Sequence, residues 1–119
     1  MGILDQLIQR VSSKNKRVVL PESMDERIVH AASLLKEKKV AHPVLVGIPE
    51  EIQKSLSEFG ISDIEIVDIN DSTLVGELAQ LYKMQRPNVS EKVALRLVKK
   101  PLIFGGMMVV SGRVDAMVA

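Results

Sequence analysis

Residues 17–28 read Arg17-Val18-Val19-Leu20-Pro21-Glu22-Ser23-Met24-Asp25-Glu26-Arg27-Ile28, and their order decides the fold. Arg17 to Leu20 is a short apolar run of the kind that forms a buried strand, and Pro21 ends it. Ser23, with Glu26 three residues later, has the spacing of a capping box. Ile28, Val29, Ala32 and Leu35 then recur at helical spacing. A buried strand that passes through a tight turn into an amphipathic helix is the opening unit of an α/β sheet.

The pattern continues on both sides of this unit. Upstream, Ile3, Leu4, Leu7, Ile8 and Val11 predict a first amphipathic helix. Downstream, Lys36, Lys38 and Lys39 place cations at the end of the second helix, where its dipole favours them. Val44 to Gly47 reads as a strand, and His42, before Pro43, as a loop residue. Pro49-Glu50-Glu51 opens a third helix with Ile52, Leu56 and Phe59 as its apolar stripe, stopped by Gly60. Ile64 to Ile69 forms a third strand. Asp71-Ser72 starts a fourth helix through Leu74, Leu78, Leu81 and Tyr82, which ends near Arg86-Pro87. Ser90 caps a fifth helix with Val93, Ala94, Leu97 and Val98 inward. Leu102 to Val110 fits a helix closed by Gly112, and Val114 to Val118 a strand. The order α-β-α-β-α-β-α-α-α-β predicts an α/β fold, a mainly parallel sheet with helices on both faces. Residues 1–119 read as one domain, and ending within a strand predicts that the domain continues past Ala119.

Composition narrows the function. The net charge is +1, and Phe59, Tyr82 and Phe104 are the aromatic residues. Neither a basic field nor base-stacking platforms for nucleic acid are expected. No cysteine is present, so disulfides and thiolate metal sites are excluded; with only His30 and His42, no metal site is expected. No apolar run is long enough to span a membrane, and the N-terminus is unlike a secretory signal, so a cytoplasmic protein is expected.

Ligands of open α/β sheets bind outside the carboxyl ends of strands, and helix N-termini attract anions. Ser23 and Arg27 are therefore candidates for contacting a phosphate, although local physics favours a helix cap for Ser23 and a solvated charge for Arg27. Arg86 is a third candidate, with an exposed end-of-helix cation as its alternative. Gly105-Gly106 matches neither a dinucleotide nor a Walker loop and reads as close backbone packing. Met107-Met108 reads as core. No catalytic residue emerges from local chemistry.

Three segments carry a resemblance. Lys16 to Arg27 is similar to the "K-R-I-V-L-P-E-G-x-D-x-R" opening of the phosphate acetyltransferase and butyryltransferase family. Ala41-His42-Pro43-Val44-Leu45-Val46-Gly47 resembles its "A-x-P-I-L-L-G". Phe104 to Ala119 resembles "F-x-x-M-M-V-x-x-G-x-A-D-G-M-V-x-G". There are three departures. Ser23 replaces a glycine. Val114-Asp115-Ala116 replaces "A-D-G". Tyr82-Lys83-Met84-Gln85-Arg86 shifts an arginine of "Y-E-L-R-K" by one residue. The resemblance implies the N-terminal third of an enzyme with an isocitrate or isopropylmalate dehydrogenase-like two-domain fold, usually dimeric. The implied reaction is direct acetyl transfer between acetyl-CoA and phosphate, with coenzyme A as substrate and no bound cofactor. Phosphate butyryltransferase, or a non-catalytic binding module, is the alternative. The implied base (an Asp) and the Arg and Ser that stabilise the transition state lie in later segments of the family, past Ala119, so the isolated chain is expected to be inactive.

Overall fold

Alternation along the first strand sets the architecture. A computed structural model describes residues 16–119, and the helix expected over Ile3 to Val11 lies outside them. In β1 (Arg17–Leu20), Val18, Val19 and Leu20 are completely buried. Successive strand residues face opposite sides, so Val18 and Leu20 join one core and Val19 another. A strand buried on both sides needs a layer of helices on each.

The elements that follow supply those layers. They are α1 (Glu26–Glu37), β2 (His42–Gly47), α2 (Pro49–Glu58), β3 (Glu65–Asp68), α3 (Ser72–Gln85), α4 (Glu91–Leu97), α5 (Pro101–Val110) and β4 (Ala116–Met117). The sheet has the order β3-β2-β1-β4, and every pairing is parallel. In register, Val19 sits beside Val44 on one side and Met117 on the other. On one face, Ile28, Val29 and Leu35 of α1 and Ile52 and Leu56 of α2 cover Val18, Leu20 and Leu45. On the other, Val75, Leu78 and Tyr82 of α3, Ala94 of α4 and Phe104, Met107 and Met108 of α5 cover Val19, Val44 and Val46. Burying each large aliphatic or aromatic side chain contributes about 1.5–3 kcal/mol. Phe104 is the largest of the fully buried side chains. Its loss to alanine would cost about 3–5 kcal/mol.

The helix ends follow local chemistry. Asp71 accepts from the N–H groups of Thr73 and Leu74, and Ser90 from that of Val93. Pro49 and Pro101 open α2 and α5, where a missing N–H costs nothing. Gly60 and Gly112 have φ of 67° and 80°, backbone angles that glycine adopts freely.

Several boundaries differ from the sequence reading: β3 and β4 are shorter than the expected residues 64–69 and 114–118, and two further differences have a local cause. β2 begins at His42, not Val44, and so includes Pro43. The His42 N–H donates to the Lys16 carbonyl, so the N–H positions of residues 43, 45 and 47 face β3. That strand starts beside Val44; Pro43 therefore lacks an N–H where no partner strand would accept it. Phe59 does not join the core stripe of α2. The helix ends one residue earlier, and the Phe59 ring rests 5.0 Å from the His30 ring at the surface.

Candidate functional site

All four strands are parallel, so their carboxyl ends share one edge of the sheet. The connections β1-α1-β2 and β2-α2-β3 cover one face, and the long connection from β3 to β4 through α3, α4 and α5 covers the other. The chain therefore reverses its winding between β1 and β4. Open α/β sheets form ligand crevices at such a switch point. Here α5 packs close against the sheet. A Cβ placed on Gly105 would fall 2.9 Å from Met117 Sδ and 3.3 Å from ring atoms of Pro21. The glycine lets α5 seat its N-terminus against the end of β1, as the sequence reading of close packing predicted for Gly105. Gly106 faces open space instead.

A mostly apolar cleft of about 700 Å³ opens at this edge. Its walls are the turn Pro21–Asp25, the end of β2 with Gly47 and Ile48, and the start of α5 at residues 100–103. A second groove of about 740 Å³ lies between α3 and α4, beside Gly76, Lys83, Met84 and Leu95. Only the first is built from strand carboxyl ends.

The turn wall corrects one expectation. Ser23 does not cap the helix. α1 starts at Glu26, and Asp25 is its N-cap, accepting from the Arg27 N–H at 2.9 Å. The sequence pattern pointed to Ser23 as the cap, and Asp25, directly adjacent to the helix, serves instead. Ser23 instead sits in a turn closed by the Asp25 N–H and the Glu22 carbonyl at 3.0 Å. Its side chain is buried, at 3% exposure. The hydroxyl donates to the Leu20 carbonyl at 2.8 Å and accepts from the Val46 N–H at 2.9 Å.

The three residues singled out from the sequence do not meet. Ser23 lines the cleft. Arg27 lies outside its lining, with its guanidinium on Asp25 at 3.0 Å and its side chain 86% exposed. The hydrogen bond from Arg27 is the main reason that the Asp25 carboxyl is held below its usual range, and that carboxylate in turn raises Arg27. Arg86 is the C-cap of α3 and stacks 4.4 Å above the Tyr82 ring. α3 leaves the carboxyl edge at Ser72 and runs 14 residues, so Arg86 stands roughly 21 Å along the helix from that edge.

The sequence reading passed over the start of α5. Lys100 is its N-cap residue, no side chain caps the helix, and its first turn carries no acidic residue. Pro101 has no N–H, and those of Leu102 and Ile103 lack intrahelical acceptors. By contrast, α2 carries Glu50 and Glu51 in its first turn and α1 has Glu26 and the Asp25 cap. The α5 terminus is thus the electropositive one at the cleft, a place that suits an anion. The signal available in the sequence was Lys99-Lys100-Pro101, a lysine pair directly before a helix-opening proline. Among the described residues, no group of three or more His, Cys, Asp or Glu could hold a metal ion, and no helix is long and apolar enough to cross a membrane.

At the opposite edge, the strand starts are tied together. Glu65 of β3 accepts from Arg17 of β1 through both oxygens, at 2.9 and 3.0 Å, and its Oε1 lies 2.7 Å from His42 Nε2 of β2. The Arg17 N–H donates to Asp115 at 2.8 Å, and Arg17 Nε to the Arg113 carbonyl at 3.1 Å. Asp115 thus serves the sheet, at the edge away from the cleft.

Comparison with known proteins identifies the fold and the family. The family model described as phosphate acetyl/butaryl transferase matches residues 2–119. The phosphate acetyltransferase of Acetivibrio thermocellus is 36% identical over 121 residues, which take in all of this chain and 36% of that protein. The Staphylococcus aureus phosphate acetyltransferase is 32% identical, over 98% of this chain and 37% of its own length. Among solved structures, the EutD phosphotransacetylase from Staphylococcus aureus superposes with a TM-score of 0.82 at 31% identity, over 96% of this chain and 36% of that one. A phosphotransacetylase from Streptococcus pyogenes gives 0.77 at 27% identity, over 98% and 37%. The chain spans just over a third of the length of these relatives. The fold of this chain is therefore shared with solved phosphotransacetylases, and the chain belongs to the phosphate acetyl/butaryl transferase family.

Proposed function

We propose that the protein carrying this chain is a phosphate acetyltransferase, which converts acetyl-CoA and phosphate to coenzyme A and acetyl phosphate by direct transfer. The observation that carries this reading is the match of the whole chain to relatives of that name, at 36% and 32% identity. The acetyl reading is preferred to a butyryl one because both of these relatives are named for acetyl transfer.

The cleft suits the reactants. Its apolar walls offer a dry surface for an acetyl group and the pantetheine arm of CoA. The α5 N-terminus and Lys100 offer donors and positive charge to a phosphate group. In the transfer, a phosphate oxygen bonds to the acetyl carbon, the thioester C–S bond breaks, and the thiolate takes a proton. The groups that handle that proton and the carbonyl oxygen are placed, on this reading, in the rest of the protein. Ser23 belongs to the cleft wall. Arg27, held by cleft-lining Asp25, is the rim cation we assign to a substrate phosphate. Arg86 remains our candidate for a substrate group outside the cleft.

The experiment is a phosphate-dependent release of CoA thiol from acetyl-CoA by the purified protein with its natural continuation, run beside butyryl-CoA. Acetyl phosphate formation with acetyl-CoA preferred is expected. A folded protein that releases no thiol with either substrate would overturn the reading, and a preference for butyryl-CoA would move it to the longer acyl chain.

A further inference from the structure

We infer that Ser23 is a positioning residue whose hydroxyl, bonded to the carboxyl ends of both β1 and β2, fixes the cleft-wall turn on the two strands that floor the cleft. The inference rests on the assignment of the cleft as the acetyl-transfer site.

The ladder between β1 and β2 shows where the bridge lies. The His42 N–H donates to the Lys16 carbonyl at 2.8 Å. Parallel strands repeat such bonds every two residues, which brings the Val46 N–H opposite the Leu20 carbonyl as the last rung. A side chain joins that rung: the Val46 N–H donates to Ser23 Oγ, and Ser23 Oγ donates to the Leu20 carbonyl. One hydroxyl both accepts and donates, so it bridges the ends of the two strands and ties the turn that carries it to both.

The bridge also fixes the cleft wall. Ser23 is the second residue of the Glu22–Asp25 turn, and Glu22, Ser23, Met24 and Asp25 all line the cleft, as do Val46, Gly47 and Ile48 beyond the other end of the bridge. The turn is anchored to the sheet at Ser23, while Met24 beside it is 63% exposed. Without the hydroxyl, the turn loses both of its bonds to the strand ends, and the Val46 N–H and Leu20 carbonyl each lose a partner in a buried place, so the turn shifts or the strand ends readjust. Each outcome moves the wall that faces the substrate.

The test compares wild type, Ser23→Ala and Ser23→Thr in the protein with its natural continuation, measuring kcat, KM for phosphate and for acetyl-CoA, melting temperature and the exchange rate of the Val46 amide. The expected result is a KM for at least one substrate raised about fivefold or more in S23A, with S23T within about twofold of wild type. Val46 exchange should differ from wild type in S23A and be restored in S23T. A stability loss in S23A with kcat and both KM values unchanged would overturn the inference, because a purely structural hydroxyl predicts that. If the wild type shows no turnover, the acetyl-transfer reading fails separately, and the exchange measurement still decides: equal Val46 exchange in wild type and S23A overturns the bridge.

Discussion

Replacing Glu65 with Gln tests the tie at the amino edge of the sheet. In the native protein the Glu65 carboxylate takes two hydrogen bonds from Arg17 and lies within bonding distance of His42. Hydrogen bonds to charged groups contribute about 1.5–3 kcal/mol when well protected. The Arg17 and Glu65 side chains are 39% and 35% exposed, so the lower scale of solvent-screened pairs, about 0.2–1 kcal/mol for each, is the better guide. Together the contacts should contribute about 1–2 kcal/mol. In a domain of this size about 1 kcal/mol moves the melting temperature by ~4 °C, so E65Q should melt ~4–8 °C lower at neutral pH. The pH dependence gives the stricter check. Arg17, through its hydrogen bonds, holds the Glu65 carboxyl below its ordinary value, with a further contribution from His42 and burial opposing both. A lowered folded-state pKa stabilises above the unfolded value, about 4.3 for glutamate, and the stabilisation is lost as pH falls through the folded value. Melting curves of wild type and E65Q should therefore lie furthest apart near pH ~7 and converge below pH ~4. Equal melting temperatures at neutral pH, or a gap that does not change with pH, would refute the reasoning.

Further predictions follow from single contacts. Gly105→Ala should destabilise by about 1–3 kcal/mol in thermal melts, because the new Cβ meets the rigid Pro21 ring. Gly106→Ala, with open space above it, should be neutral or stabilise by up to about 1 kcal/mol. Asp71→Ala removes the cap that holds the Thr73 and Leu74 N–H groups and should cost about 0.5–2 kcal/mol by denaturant titration. Arg27→Ala should leave the melting temperature unchanged, since the side chain stands in solvent. In the acetyl-transfer assay it should raise the KM for phosphate, and an unchanged KM would return Arg27 to the role of a surface cation.

Most of the fold was legible because it rests on near-neighbour signals. The apolar run Val18-Val19-Leu20, the 3.6-residue repeats of α1 to α5, and the prolines and glycines at their ends act within a few residues of chain. The boundary of β2 was missed because Pro43 is acceptable only where β3 has not begun, which depends on register. The site was less legible for the same reason. Ser23 looks like a cap until Val46, 23 residues away, is known to reach its hydroxyl. Arg17, His42 and Glu65 are scattered in sequence and meet only because parallel strands start in line. Lys100 gains meaning only from the start of α5 lying at the cleft. Asp115 falls in a segment that carries the family resemblance, and its structural part, a contact with Arg17 at the far edge of the sheet, depends on strands that are distant in sequence.

The central claim is that the functional surface is the cleft at the carboxyl edge of the sheet. Hydrogen exchange of the protein with and without coenzyme A, read by mass spectrometry, tests it most directly. The account predicts that CoA slows exchange in peptides covering the Pro21–Asp25 turn and residues 100–104, while peptides from the α3–α4 groove around Met84 and Leu95 are unaffected. Protection confined to that groove, with the turn and the start of α5 unchanged at saturating CoA, would contradict it.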